Sequence, residues 1–250
     1  TPLRFGSAAS LVDGYVPAIK NIRRLLQSHG AEVVHLGHNR SVADIVRAAI
    51  QEDADGVAVS SYQGGHNEYF RYMVDMLRAA GAGHVKVVVG GGGTIAPHEV
   101  EELEAYGVEK IYTPDDGLRL GLDGMIEDVF KRVCATPRPP FEGAMVSADD
   151  PVNLARAITL LELGGEQGTV TRVRGLAAKT LNRPPVVGIT GTGGAGKSSL
   201  TDELLNRIVR FFPDRKVAVV AMDPTRRRSG GALLGDRIRM NSLACEQLFM

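Results

Sequence analysis

A glycine-rich segment that ends in a lysine and a serine stands at residues 191–198 and reads GTGGAGKS. This string matches G-x-x-x-x-G-K-[ST], in which the glycines let backbone N–H groups point at phosphate oxygens. Lys197 would add positive charge near the β and γ phosphates, and the Ser198 hydroxyl is a suitable ligand for Mg²⁺. Residues 186–190 read as a buried strand and residues 200–208 as a helix, the order that such a loop requires. The sequence therefore predicts a nucleoside-triphosphate site.

An aspartate after a second apolar run is a candidate for the metal that accompanies such a nucleotide. Residues 216–222 read as a parallel strand and end at Asp223-Pro224. A carboxylate there would hold Mg²⁺ directly or through water, because Mg²⁺ prefers oxygen ligands. The alternative is an aspartate that only caps a turn before proline. Three arginines follow at 226–228, and such a run is more typical of a solvated face than of phosphoryl transfer.

Polar and glycine residues also concentrate after three strands in the first half of the chain. The segments are residues 11–15, 60–67 and 90–94, and the last contains four successive glycines, residues 90–93. An ordinary turn needs one or two glycines, whereas four let a bulky ligand lie against bare backbone. A long flexible turn is the alternative.

Five strand–helix units in residues 3–133 would position these loops. Apolar runs predict strands at residues 3–9, 32–36, 56–60, 85–89 and 110–112. Between them lie amphipathic helices, of which the second carries a capping signal, Ser41 followed by Asp44. Alternating strands and helices require a parallel sheet, and the flavodoxin-like order 2-1-3-4-5 is the commonest for five units. In that order ligands lie beyond the carboxyl ends of strands 1 and 3, so the three polar loops open onto one edge.

The remaining sequence predicts how the domains follow one another. Residues 134–150 are proline-rich and aperiodic, and a helix begins at Asp150-Pro151. We therefore expect a first α/β domain at residues 1–133, a linker with helices at 134–185, and the amino-terminal part of a P-loop domain at 186–250.

Composition excludes several classes of protein. Lysine plus arginine and aspartate plus glutamate each number 29, which gives no basic excess for nucleic acid or an anionic membrane. The sequence has no stretch of about 18 uninterrupted apolar residues, so we expect no membrane span. The two cysteines, Cys134 and Cys245, are too few and too far apart for a disulfide scaffold, which favours a reducing cytoplasm.

Two sets of residues resemble known families. Residues 223–225 read DPT and residues 230–240 read GGALLGDRIRM, which, after this P-loop, resembles the GTPase chaperones of adenosylcobalamin-dependent acyl-CoA mutases. The first domain is similar to the cobalamin-binding domains with the signature D-x-H-x-x-G, S-x-L and G-G. Here DGYVPA at residues 13–18, SSY at 60–62 and GG at 90–91 stand at the spacing of that signature. Both modules on one chain, in this order, resemble the fused isobutyryl-CoA mutases.

This resemblance implies a function and a set of site residues. It implies the cobalamin-binding and GTPase-chaperone portion of an isomerase that interconverts isobutyryl-CoA and butyryl-CoA, with GTP hydrolysis gating cofactor loading, a homodimer, and a downstream domain for the acyl-CoA. Its cofactors would be adenosylcobalamin, GTP and Mg²⁺, with Lys197 catalytic. The cobalamin residues would be Asp13, Gly14, Tyr15, Ser60, Tyr62, Gly90, Gly91, Gly92, Gly93 and Thr94. The nucleotide residues would be Gly193, Gly194, Ala195, Gly196, Lys197, Ser198, Ser199 and Arg239, with Ser198, Asp223 and Asp236 at the metal.

Three signature letters differ, and Tyr15 in place of histidine matters most. In the family that histidine is the lower ligand of cobalt, whereas a phenol with a pKa near 10 is a poor neutral ligand. We expect cobalamin held by its tail, with cobalt five-coordinate or facing water. His66 is the one plausible substitute ligand, although a hydrogen-bonding role at the cofactor edge suits it better. His35 and His38 have metal-ligand spacing but follow the edge strand.

Two other functions remain open at this point. A cobalamin-binding regulatory GTPase module would have lost mutase chemistry together with the histidine. An interaction scaffold of the same fold would bind no cofactor and dock a partner.

Overall fold

The computed structural model describes residues 2–9, 16–61, 64–136, 138–141, 143, 146–179, 184–221, 237 and 240–250. Residues 16–20 are described by their backbone alone. These residues form two compact units, one ending at Pro140 and one beginning at Phe141. Among the described helices, none is both long and apolar enough to cross a membrane.

The first unit is a parallel sheet with helices between its strands. Its strands are β1 (Arg4–Ala9), β2 (Glu32–Gly37), β3 (Gly56–Ser60), β4 (Lys86–Gly90) and β5 (Lys110–Ile111). Its helices are α1 (Val16–Ser28), α2 (Val42–Gln51), α3 (His66–Ala79), α4 (Pro97–Tyr106) and α5 (Pro114–Ala135). All pairings are parallel in the order β2-β1-β3-β4-β5, which confirms the predicted order.

Local sequence explains where several of these helices begin. The Ser41 side chain accepts a hydrogen bond from the Asp44 N–H and so caps α2, as predicted. Thr113 and Asp116 cap α5 reciprocally, because the side chain of each accepts a hydrogen bond from the backbone N–H of the other. Gly30, which follows α1, has a φ of 87°, a conformation that glycine adopts without strain.

One face of the sheet packs against α1 and α5. Phe5, Ala58 and Val88 on the strands form a buried cluster with Leu26 of α1 and Val129 of α5. The three strand residues share one face: Phe5 pairs with Gly56, two positions before Ala58, and Ala58 pairs with Val88.

A buried charge cluster closes the amino-terminal edge of this sheet. The guanidinium of Arg138, beyond α5, donates to Asp53 at 2.6 Å and to Asp55 at 2.5 Å. Asp53 also accepts a bond from Arg138 through its backbone carbonyl, and Asp55 accepts one from the Arg4 N–H at 2.7 Å. Both carboxylates are buried, so the arginine neutralises charge that water cannot reach.

The second unit consists of helices and one short parallel strand pair. Its elements are α6 (Pro151–Leu163), α7 (Gln167–Ala178), α8 (Lys197–Phe211), β6 (Val217–Ala218) and β7 (Leu248–Phe249). Its core contains Leu205, Met240, Leu243 and Leu248.

The prediction of a strand at residues 186–190 is wrong. These residues are extended without strand pairing, and Val186 is 92% exposed and Val187 80% exposed. The predicted strand at 216–222 is reduced to β6. A strand is stabilised by neighbours that bond its N–H and C=O groups, and within the described part of this unit only β6 and β7 pair.

Candidate functional sites

The carboxyl ends of three central strands meet in one row. Ala9 of β1 stands in register with Ser60 of β3, which stands in register with Gly90 of β4. The row lies where the strand order reverses, between β1 and β3. Ligands of open parallel sheets bind beyond the strand ends at such a point.

The side chains on this face become smaller toward that edge. Phe5 lies at the amino-terminal end of β1, Ser7 follows it on the same face, and Ala9 ends the strand. A Cβ built on Gly90 would lie 3.5 Å from the Ile22 side chain, so this end of the face also looks toward α1. The residues at this end of the face are therefore small, whereas phenylalanine fills the core lower down. Ala9 and Ser60 are themselves buried.

The glycine loop after β4 bends tightly. Gly91 has a φ of 90°, which favours glycine, and Gly92–Thr94 form one turn of 3₁₀ helix. The Thr94 N–H and hydroxyl lie 3.4 Å from the Gly91 carbonyl. A Cβ on Gly93 would contact Pro114 at 3.5 Å. The loop therefore exposes backbone at the strand edge.

The loop after β3 is joined to the glycine loop by its backbone. The Ser61 N–H donates to the Gly90 carbonyl at 3.1 Å, and the buried Ser60 stands beside Gly90. At the far end of this loop Gly65 precedes α3 with a φ of 82°. The structure thus brings together Ser60 and Gly90–Thr94, as the sequence predicted.

The histidines near this edge form hydrogen-bonded contacts. His66 Nε2 lies 3.1 Å from Glu99, and His35 Nδ1 lies 3.0 Å from the Ser7 hydroxyl. His38 is exposed. Among the described residues no group of histidine, cysteine and carboxylate side chains is arranged to hold a metal. The role of His66 at the cofactor edge stays a prediction, and its polar contact in this structure is with Glu99.

The glycine-rich segment at residues 191–198, the phosphate loop of the second unit, leads directly into α8. Gly194 and Gly196 have φ values of 79° and 80°, and Gly196 is the residue before the helix. The first N–H groups of a helix lack partners within it and carry partial positive charge. This loop therefore has the backbone that an anion site needs.

Lys197 lies across the loop. Its ammonium donates to the carbonyls of Gly191 at 3.0 Å and Thr192 at 2.8 Å. Ser198 and Ser199 occupy the first turn of α8, so Gly193–Ser199 form one continuous segment. The ammonium is thus held at the loop by bonds that a phosphate group would replace.

Several predicted site residues lie outside the described residues. They are Asp13, Gly14, Tyr15, Tyr62, Asp223, Asp236 and Arg239.

Two contacts near the sheet edge were not predicted from the sequence. The missed contacts are those of Ser7 and Glu99. For Glu99 the available signal was its place two residues after Pro97, where an acidic side chain caps a helix.

Two family models match the two parts of the chain. The model described as B12 binding domain matches residues 4–114, and that described as Methylmalonyl Co-A mutase-associated GTPase MeaB matches residues 154–250. The chain therefore combines a B12-binding α/β domain with a P-loop GTPase segment, which confirms the predicted fold class.

Curated relatives match nearly the whole chain. The fused isobutyryl-CoA mutases of Cupriavidus metallidurans and Geobacillus kaustophilus are 53% and 49% identical to it over 99% of its length. The small subunit of 2-hydroxyisobutanoyl-CoA mutase from Aquincola tertiaricarbonis is 30% identical over 46% of this chain and 83% of its own length. The chain belongs to the family of fused isobutyryl-CoA mutases. It spans about a quarter of those relatives, 23% and 24% of their lengths.

Proposed function

We propose that this protein binds adenosylcobalamin and GTP as the loading portion of an acyl-CoA mutase that interconverts isobutyryl-CoA and butyryl-CoA. The observation that carries the proposal is the presence, on one chain, of the small-residue strand edge and the phosphate loop. GTP hydrolysis would gate cofactor loading, and a downstream domain would bind the acyl-CoA. We propose domains at residues 1–133, 134–185 and 186–250, a homodimer, and a cytoplasmic location.

The strand edge suits a large, flat cofactor with a long tail. Glycines at 90, 91 and 93 carry no side chain, and Ala9 and Ser60 present small groups where the strands end. Ser60, Gly90–Thr94 and, outside the described residues, Asp13, Gly14, Tyr15 and Tyr62 would hold the cofactor. Cobalamin would supply a cobalt–carbon bond whose homolysis begins the rearrangement. The chain would orient the cofactor and exclude water around it.

The phosphate loop suits the triphosphate of a nucleotide. Backbone N–H groups of Gly193–Ser199 would donate hydrogen bonds to the phosphate oxygens, and Lys197 would stabilise charge at the transferring phosphoryl group. The Ser198 hydroxyl would hold Mg²⁺ with Asp223 and Asp236, since all three side chains offer oxygen. Arg239 would contact the nucleotide.

Tyr15 supports a second candidate, a cobalamin-binding regulatory GTPase without mutase activity. This alternative needs the same two ligands and differs only in the chemistry downstream of them. Conversion of isobutyryl-CoA by the cobalamin-loaded protein would exclude it.

Titration with adenosylcobalamin and with a fluorescent GTP analogue tests the proposal. We expect each ligand to bind at equimolar stoichiometry, with a shift in the visible spectrum of cobalamin and saturable nucleotide fluorescence that GTP competes away. Retention of cobalamin through gel filtration is the second readout. A protein that changes neither signal and retains no cobalamin would be a scaffold, and the proposal would fail.

Replacement of Tyr15 with histidine should restore lower-ligand donation. Histidine has an unperturbed pKa near 6.5 and is neutral at pH 8, so its imidazole is a ready ligand for cobalt. In protein labelled with ¹⁵N-histidine and loaded with cob(II)alamin, we expect ¹⁵N superhyperfine splitting in the EPR spectrum of Tyr15→His. The unsubstituted protein and the control Tyr72→His, at an exposed position, should show none. A ¹⁵N splitting in the unsubstituted protein would identify another histidine as ligand and contradict the prediction.

A further inference from the structure

One carboxylate joins the beginnings of two neighbouring helices at the strand edge. Glu99, in the first turn of α4, accepts a hydrogen bond from the Ala96 N–H at 2.8 Å through Oε2. Its other oxygen, Oε1, accepts one from the Asn67 side-chain amide of α3 at 3.0 Å. His66 Nε2, also at the start of α3, lies 3.1 Å from Oε2. The carboxylate of Glu99 therefore contacts both the start of α3 and the start of α4.

These contacts serve a need that the sequence creates. Ala96 stands where a helix is usually capped by a serine, threonine, asparagine or aspartate, and its methyl group accepts no hydrogen bond. The Ala96 N–H, the nearby His66 and the resulting bonds lower the pKa of Glu99, so the carboxylate is charged at neutral pH. A negative charge at the start of a helix is also favourable to the helix dipole.

The two joined helices follow the two loops of the proposed cobalamin site. The loop after β3 ends where α3 begins at His66, and the loop after β4, which contains Gly91–Thr94, ends where α4 begins at Pro97. β3 and β4 are neighbours, and near the strands the two loops are joined by the bond from the Ser61 N–H to the Gly90 carbonyl. Glu99 supplies a further connection, at the far end of both loops.

We propose that Glu99 is a positioning residue that fixes the separation of these two loops before cobalamin binds. This role rests on the proposed function, because it presupposes that cobalamin lies across both loops. A ligand that spans two loops binds more tightly when they are already in the bound arrangement, since less motion is lost on binding. His66 and Asn67 are the partners on the α3 side.

The test compares three substitutions in α4, two at Glu99 and one at Glu101. Glu99→Ala removes every contact of the carboxylate. Glu99→Gln keeps an acceptor for the Ala96 N–H and turns an amide toward Asn67, whose buried Oδ1 lacks a partner among the described residues and is free to accept it. Glu101→Ala, at an exposed position of the same helix, is the matched control.

We expect Glu99→Ala to weaken cobalamin binding about tenfold, because the cofactor would then have to order the two loops as it binds. Glu99→Gln should recover most of the affinity, and Glu101→Ala should bind like the unsubstituted protein. Binding is measured well below the unfolding temperature of each variant, so a residue that only stabilises the fold would leave affinity unchanged. Faster hydrogen exchange in residues 91–96 of Glu99→Ala is the second expected result.

Equal cobalamin affinity in Glu99→Ala and the unsubstituted protein would overturn the role of Glu99 and leave the proposed function intact. Absence of binding by the unsubstituted protein would overturn the proposed function and this role with it. Should Glu99→Ala fail to fold, Asn67→Ala removes one of the two contacts on the α3 side of the connection and leaves that of His66. That variant should lose about threefold in affinity, and unchanged affinity would likewise overturn the proposal.

Discussion

Replacement of Lys197 with alanine is expected to weaken GTP binding about a hundredfold and to abolish measurable GTP hydrolysis. Hydrogen bonds to charged groups contribute about 1.5–3 kcal/mol each, and about 1.4 kcal/mol corresponds to a tenfold change in affinity. Two such bonds, from one ammonium to two phosphate groups, account for the expected loss. The measurements are competition with a fluorescent GTP analogue and release of inorganic phosphate.

In the free protein the Lys197 ammonium already has hydrogen-bond partners. The Lys197 ammonium bonds to the Gly191 and Thr192 carbonyls, so a nucleotide exchanges these two bonds for bonds to phosphate. Alanine removes the ammonium without exposing a buried group, and we therefore expect little change in the free energy of unfolding. Lys179→Ala, at an exposed position of the same unit, is the matched control and should bind GTP normally. Nucleotide affinity in Lys197→Ala within threefold of the unsubstituted protein would contradict the assignment of the phosphate site.

Replacement of Arg138 with alanine is expected to destabilise the first unit by about 3 kcal/mol. Removing one partner of a buried ion pair costs about 3–5 kcal/mol, because the remaining charge is left without water or counter-ion. Arg138 itself is partly exposed, which places the effect at the low end of that range. For a domain of this size the loss corresponds to a decrease in Tm of roughly 6–12 °C.

The measurement must report on the first unit alone, since the chain has two compact units and no tryptophan. Hydrogen exchange of the β1 and β3 amides provides that signal, with far-UV circular dichroism as a global check. Arg119→Ala is the matched control, because Arg119 is an exposed partner of Asp116 and should cost less than about 1 kcal/mol. Addition of Asp53→Asn to Arg138→Ala should recover part of the loss by removing one buried charge. A loss below 1 kcal/mol in Arg138→Ala would show that the carboxylates are stable without the arginine.

The elements whose signals are local were predicted well. β3 is predicted at its observed bounds, because Asp55 before it and polar residues after it interrupt an apolar run. The cap at Ser41 depends only on a residue three positions away. The parallel sheet follows from the alternation of strands and helices, since parallel strands require crossovers. Its order was predicted as the commonest one for five such units.

Features that depend on distant partners were not predicted. Arg138 lies 83 residues from Asp55, and nothing in either neighbourhood indicates that they meet. The contact between Asn67 and Glu99 depends on the adjacency of α3 and α4, which follows only from the folded sheet. Residues 186–190 have the composition of a strand, yet a strand also needs neighbours, and composition does not provide them. The same limit applies to site residues that are recognised only by resemblance, such as Asp236 and Arg239.

The central position of β1 determines when this protein can begin to fold during its synthesis. β1 is made first but lies between β2 and β3, so its two edges are covered only after the ribosome has added the residues up to Ser60. At about 5–20 residues per second this interval lasts about 3 to 10 seconds. During it at least one edge of the apolar strand around Phe5, Ala8 and Ala9 is uncovered, and uncovered strand edges associate readily with other chains. Slow translation before residue 60 would therefore prolong exposure of the nascent chain to aggregation, whereas slow translation after it would not.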